Sequence, residues 1–199
     1  MSGAPIPAQP QTLQNFFTVF TLYINECNAA ARYAAFANEA DEGGLRKVGS
    51  LFRAISRSQQ IHSANHSATM LKMGFSCQPE IETFEVKTTV ENLQSALAAG
   101  SFKVNELIPR LIRHVDAQDL SEASRTLSYA MATARSHVNL ISTILEQIEN
   151  QGSNTNLAEE LTHAGGYYVC TTCGFTDDKT GLNTCDVCGQ SHHDRELVE

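Results

Sequence analysis

Four cysteines close to the C-terminus form two CxxCG motifs. Each tight turn directs two sulfurs at one ion, and the glycine after the second cysteine relieves crowding where backbone N–H groups approach the thiolates. Four thiolates select Zn²⁺ or iron, both of which accept tetrahedral sulfur. The sequence therefore predicts one iron or zinc ion held by Cys170, Cys173, Cys185 and Cys188.

The two CxxC pairs have a second interpretation as redox-active dithiols, but such motifs normally lie in a βαβ setting that this tail lacks. Six cysteines, four of them clustered, favour metal ligation in a reducing compartment over a disulfide framework, which would spread them through the fold. Cys27 and Cys77 are then expected to be buried free thiols. A segment this short cannot fold on hydrophobic burial alone, so we expect the ion to provide most of its stability.

A second set of polar residues lies where apolar residues are expected. At about 100° per residue, Gln59, His62 and His66 continue the buried stripe of one helical segment. Glu26 and His137 lie beside the stripes of two other segments. Polar groups in such positions cost free energy unless they are satisfied. Something in the interior must therefore hydrogen-bond or ligate them.

The elements that would position these residues are four long amphipathic helices, each limited by caps, prolines or glycines. Pro10 precedes the first helix, and Gly74 ends the second. A Thr88-x-x-Glu91 capping box opens the third, which Pro109 is expected to kink. The predicted helices cover residues 12–38, 45–73, 88–115 and 119–150, which is typical of a bundle rather than a sheet protein.

The chain thus divides into a flexible N-terminus (1–10), a mainly α four-helix bundle (11–150), a polar linker (151–166) and a small metal domain (167–199). Most of the formal net charge of −8 lies in the last two parts. An acidic tail argues against nucleic-acid binding, which needs a basic face. The sequence has neither a signal-peptide pattern nor the roughly 20-residue apolar stretch of a membrane span, so it indicates a soluble, cytoplasmic protein.

The whole arrangement resembles the rubrerythrins, which join a ferritin-like four-helix bundle to a rubredoxin-like domain with a CxxCG pair. The resemblance covers nearly the whole chain. It is carried by Glu26 followed by Arg32, Tyr33 and Phe36, by Leu51 and Phe52 leading to His62, by Glu91, Asn92 and Leu93 leading to Ala99 and Gly100, and by Tyr168 to Phe175 around the first CxxCG motif.

The resemblance implies a di-iron site inside the bundle, built from a glutamate on the first helix, ExxH motifs on the second and fourth, and two glutamates on the third. In that family the rubredoxin-like iron passes electrons to this site for peroxide reduction. Carried over by position, Glu26, His62 and His137 are kept. The other matching positions hold Gln59, Ser101, Val104 and Ala134. One carboxylate facing two ferrous ions leaves about +3 of uncompensated charge in a low-dielectric core, so we expect no ordinary di-iron centre.

Three interpretations of the bundle residues remain open. Glu26, His62 and His137 could form a single-metal site of the two-histidine, one-carboxylate type for Fe(II) or zinc, with Gln59 or His66 nearby. They could instead form a metal-free hydrogen-bond network, a vestige of the ancestral site. In the third interpretation the second helix is rotated and these residues are solvated, but the apolar stripe argues against that.

Two functions from different classes follow. The first is a rubrerythrin-like oxidoreductase or electron-transfer protein, with iron at the four cysteines and a redox partner protein. The second is a non-catalytic helical interaction or assembly protein in which the four cysteines hold a structural zinc. The resemblance implies a homo-oligomer, a dimer or larger, formed through the helical bundle.

Overall fold

The computed structural model describes residues 10–113, 115, 121–150, 161–163, 165–179 and 183–199. The predicted N-terminal segment up to residue 9, the start of the fourth helix at Asp119 and most of the 151–166 linker lie outside the described residues. None of the described helices is both long enough and apolar enough to cross a membrane.

The first two helices form a hairpin: α1 covers Pro10–Glu42 and α2 covers Arg46–Lys72. Gly44 in the turn between them has φ +76°, and Gly74 after α2 has φ +85°, so both occupy the left-handed conformation that favours glycine. The predicted bounds agree with these helices to within a few residues, which is the usual spread at frayed ends.

The third predicted helix is divided. α3 covers Thr89–Phe102, a π-helical turn covers Lys103–Leu107, and α4 covers Ile108–Ile112. The capping box at Thr88 is present as predicted. Pro109 has no N–H and its ring crowds the carbonyl of the preceding turn, and the wider π turn, in which Ile108 N–H reaches Lys103 O, lies directly before it. The expected kink is thus a π turn.

Helix α5 covers Ser121–Glu149 and completes the bundle. α1 packs along α2, α2 packs on α5, and α5 packs on α3, whereas α1 and α3 touch only lightly. The main core cluster includes Tyr33, Phe36, Leu51, Phe52, Ile55, Leu93 and Ile141, all less than 10% exposed. The helices therefore form a bundle with one loosely closed side, between α1 and α3.

The C-terminal segment forms a three-stranded antiparallel sheet with β1 (Tyr167–Cys170) between β2 (Thr176–Asp177) and β3 (Arg195–Val198). Tyr167 and Val169 belong to the main core cluster of the bundle. The small domain is therefore packed against α2 and α5.

Candidate metal centre

The four cysteine sulfurs converge on one point. Sγ of Cys170 lies 3.6 Å from Sγ of Cys188, and Sγ of Cys173 lies 3.5 Å from Sγ of Cys185. A tetrahedron with metal–sulfur bonds of about 2.3 Å has edges of about 3.8 Å. The ligand atoms of all four cysteines lie within 4.8 Å of one another. The cysteines thus form a metal site, as the sequence predicts, and their geometry fits Fe or Zn.

The two CxxCG turns have the same backbone course. Gly174 N–H donates to Cys170 O over 2.8 Å, and Gly189 N–H donates to Cys185 O over 2.9 Å. Both glycines have positive φ, +75° and +71°. These turns hold each sulfur pair on one side of the loop because the chain reverses at a residue without a side chain.

The ionisation of the thiols explains why the site requires a cation. The hydrogen bond from the Cys173 thiol lowers the pKa of Cys170 to about 5. The same bond, together with burial, raises the pKa of Cys173, and burial raises that of Cys188 to about 11. Four adjacent thiolates therefore form only when a positive ion neutralises them.

The knuckle loops are residues 170–176 and 185–190, and helix side chains hold the first of them against the bundle. Four side chains donate to main-chain carbonyls: Ser58 to Gly174 (2.6 Å), His62 to Cys173 (2.9 Å), Asn65 to Thr172 (2.9 Å) and Ser136 to Thr176 (2.5 Å). Positions 58, 62 and 65 recur every three or four residues, so they share one face of α2. Because a carbonyl only accepts, Nε2 of His62 carries a proton.

Gly174 approaches α2 so closely that a side chain there would collide with the helix. A Cβ at this position would lie 2.7 Å from His62 Nε2 and 3.0 Å from the Ser58 main-chain oxygen. Gly189 shares the positive φ, but a Cβ there meets nothing within 4 Å. A substitution at Gly189 therefore tests backbone strain alone. A substitution at Gly174 tests the same strain together with the contact between the loop and α2.

We expect Gly174→Ala to lower the free energy of unfolding by more than Gly189→Ala. Both substitutions place alanine in the left-handed region, at a cost of about 1–2 kcal/mol, but only the first also displaces the knuckle loops from α2. Chemical denaturation of the two variants, with limited proteolysis of the C-terminal domain, measures the difference. Equal destabilisation would show that the loop does not rest on the helix.

Inside the bundle, a lysine ammonium lies among the polar residues. Nζ of Lys103, from the π turn, donates to Glu26 Oε1 over 2.5 Å and to Gln59 Oε1 over 3.2 Å. Glu26 is completely buried, and Lys103 is 14% exposed. Burial is the largest influence and raises the pKa of Glu26, but the Lys103 ammonium together with His62 and His66 outweighs it and holds that pKa well below its usual range. The interior contains a buried ion pair.

A chain of hydrogen bonds connects this ion pair to the knuckle loops. Gln59 Nε2 lies 3.5 Å from His137 Nδ1, and His137 Nε2 lies 3.2 Å from Thr176 Oγ1, which donates to Gly174 O over 3.1 Å. Since the last acceptor is a carbonyl, the donors run in one direction from Lys103 to Gly174, and His137 carries its proton on Nε2. Burial lowers the pKa of His137 to about 3, so its ring is neutral.

Glu26, His62 and His137 do not meet at one point. His62 Nδ1 lies 3.7 Å from Glu26 Oε1, and His137 reaches Glu26 only through Gln59 and Lys103. Within the part of the chain that the structure describes, the four cysteines are the one cluster of three or more His, Cys, Asp or Glu ligand atoms at metal-binding distances.

His66 is also buried, 1% exposed, and neither ring nitrogen has a hydrogen-bond partner among the described residues. Burial lowers the pKa of His66 to about 3, below the ordinary 6.5. A pKa lowered by folding means that the unfolded chain binds the proton more tightly. The free energy of unfolding is therefore highest above about pH 6.5. It decreases as the pH falls towards 3, because the unfolded chain takes up the proton first.

We expect His66→Leu to raise the free energy of unfolding, since it removes unpartnered polar atoms from the core. It also removes one titrating group, so between pH 6 and 4 stability should fall less steeply than in the parent, by about 1.4 kcal/mol per pH unit. Denaturation of the variant and the parent at several pH values checks both effects. Both proteins lose the metal in acid, so that loss cancels in the difference between them. An unchanged slope would mean that His66 is not neutral in the fold.

Sequence reasoning missed Lys103. The family resemblance assigns the two interior ligand positions of the third helix to Ser101 and Val104, but both are half-buried and line a surface cleft with Arg135 and Val138 of α5. The π turn changes the angular position of the residues around it, which a steady 100° per residue does not reproduce. Pro109 was the one indication in the sequence, because a proline has no N–H and the helical hydrogen-bond pattern must change around it.

This interior does not fit a pair of irons. The carboxylate that would bind them, Glu26, is paired with Lys103, and Gln59 and Ala134 occupy two further ligand positions. Each iron would need negative ligands, yet among the residues at these positions Glu26 is the one carboxylate, and Lys103 already neutralises it. No step through such a pair can be derived for this chain.

Comparison with known proteins finds a family match over more than half of the chain. Residues 22–145 match the family model described as rubrerythrin. Rubrerythrin-2 of Clostridium acetobutylicum is 28% identical over 170 residues, which are 84% of this chain and 87% of that protein.

Solved structures agree in fold. Nigerythrin in its mixed-valence state has a TM-score of 0.77 at 17% identity and covers 99% of this chain and 90% of its own. The Mycobacterium tuberculosis bacterioferritin BfrA has a TM-score of 0.64 at 20% identity and covers 80% of this chain and 96% of its own.

Proposed function

The chain belongs to the rubrerythrin family, and from this premise we propose that it is a single-metal member: an electron-transfer protein with iron at the four cysteines and none in the bundle. The observation that carries the proposal is the Lys103 ammonium hydrogen-bonded to Glu26 at the centre of the bundle. That ammonium gives Glu26 the positive partner that metal ions would otherwise provide.

Iron bound by four thiolates exchanges one electron at a time. The chain's own residues set the surroundings of that exchange. Cys170, Cys173 and Cys185 are buried, whereas Cys188 is half-buried and is the ligand nearest to solvent. His62 donates to the Cys173 carbonyl and so fixes the backbone of one ligand against α2. Electrons would therefore enter at Cys188, on the side away from the helices.

The metal content of protein from iron-replete cells tests this proposal. We expect one iron per chain, the red absorption of Fe(III)–thiolate, reversible bleaching by dithionite, and no turnover of hydrogen peroxide. Both iron and zinc must be counted, because recombinant expression exchanges them. One zinc ion per chain in protein from native cells would contradict electron transfer and indicate a structural role for the site. Three metal ions per chain would contradict the metal-free bundle.

We also propose that two copies associate through the bundle. Leu13 and Phe17 on α1 are 40% and 59% exposed, whereas Val19 and Leu22 of the same helix are buried. Large apolar side chains left in water on a long helix favour a helix partner. Light scattering should give twice the chain mass of 21.7 kDa, and Phe17→Glu should return the mass to one chain. A monomeric parent protein excludes the pairing.

A further inference from the structure

Beside the buried ion pair, a cavity of about 120 Å³ opens between α1 and α3, on the loosely closed side of the bundle. Its volume corresponds to about four water molecules at roughly 30 Å³ each. Small side chains make much of the wall, among them Ala29, Ala96 and Ala134. Ala134 stands where the family resemblance would place a glutamate, so the missing carboxylate leaves part of this space.

The polar part of the wall carries positive charge. Lys103 and Arg32 line the cavity, together with the amide of Gln59. None of the residues that line it is Asp or Glu. The carboxylate of Glu26 lies behind Lys103, is 0% exposed, and already accepts from Nζ. Arg32 forms no ion pair within the described residues, and its guanidinium carbon lies 5.9 Å from the centre of the Tyr33 ring.

The charges of this cluster do not balance. Lys103 and Arg32 contribute two positive charges and Glu26 one negative charge. The neighbouring His137 is neutral, since burial lowers its pKa to about 3. The phenol of Tyr33 keeps its proton, because burial raises its pKa. The charge left over is that of Arg32, which is partly exposed to solvent and lines the cavity, and one monoanion would neutralise it.

We propose that this cavity binds a small monocarboxylate, of the size of formate or acetate, between Lys103 and Arg32. A carboxylate accepts from the planar fork of a guanidinium and from an ammonium at the same time. A dianion would leave the cluster negative. The proposal does not depend on which metal the four cysteines hold.

The test uses the full chain reconstituted with Zn²⁺ and labelled with ¹³C at the alanine methyl groups. Sodium acetate is titrated at constant ionic strength against sodium chloride. We expect saturable shifts of the Ala96 and Ala134 methyl signals, with a Kd on the order of 1 mM for so small a ligand. The methyl groups of Ala37 and Ala40, in the core away from the cavity, should not move.

Three variants decide where acetate binds. Arg32→Gln should weaken binding about tenfold by removing one charged donor, and Ala134→Leu should abolish it by filling the cavity. Arg46→Gln, which changes an exposed arginine at the start of α2, should bind like the parent protein. Shifts that stay linear, that appear equally with chloride, or that survive Ala134→Leu or Arg32→Gln would overturn the proposal.

Discussion

Replacement of Lys103 by methionine is expected to lower the free energy of unfolding by about 3–5 kcal/mol. Methionine has nearly the length of lysine, so the loss of packing is small. The variant leaves Glu26 completely buried with no ammonium beside it. A carboxylate in that position takes up a proton rather than remain charged, so the pKa of Glu26 should rise. Chemical denaturation at neutral pH measures the loss.

Two matched variants identify the cause. Lys103→Met combined with Glu26→Gln removes both charges and should recover most of the lost stability, because an amide tolerates burial better than an unpaired carboxylate. Lys72→Met breaks the ion pair with Glu122 at the surface, where both side chains are solvated, and should leave stability unchanged. If the single and double Lys103 variants are equally unstable, the ion pair is not the reason.

Loss of the metal ion is expected to unfold the C-terminal domain and leave the helices in place. The apparent free energy of structural metal binding in peptides is about 10–16 kcal/mol near neutral pH, far more than a three-stranded sheet of this size can gain by burial. Cys173→Ser should therefore lose the ion. Circular dichroism should keep its helical signal, while protease should cleave the chain after the bundle.

Cys77→Ser is the matched control, because Cys77 is a free, half-buried thiol outside the metal site. It should retain one metal per chain and resist protease like the parent. A Cys173→Ser protein that still binds one metal ion per chain and keeps an ordered C-terminal domain would contradict this expectation. In that case three thiolates and another ligand would suffice.

The sequence was sufficient for the features that depend on local spacing. Two CxxCG motifs define four sulfurs at short range, because each motif closes its own turn before any tertiary contact forms. The helices were also predictable, since long apolar stripes and the Thr88 capping box act within one element. Gln59, His62 and His66 were correctly placed in the interior for the same reason.

The polar contacts inside the bundle were predicted less completely. Lys103 enters it because the helix widens to a π turn before Pro109, and that change of register depends on packing between α3, α5 and the proline. A lysine in a helical sequence is ordinarily read as a solvated side chain. Its partner Glu26 was identified, but only the fold brings together two residues so far apart in the chain.

The knuckle loops are held to the helices through main-chain oxygens, and this has a consequence for how the two parts can change. Every amino acid has a carbonyl, so position 172 can vary without loss of its bond, whereas the donors on α2 and α5 cannot. Position 172 is therefore exchangeable, whereas Gly174 and Thr176 are not, because they contact the helices directly. A homologous four-cysteine loop of the same backbone shape, transplanted onto this bundle, should dock if it keeps these two residues.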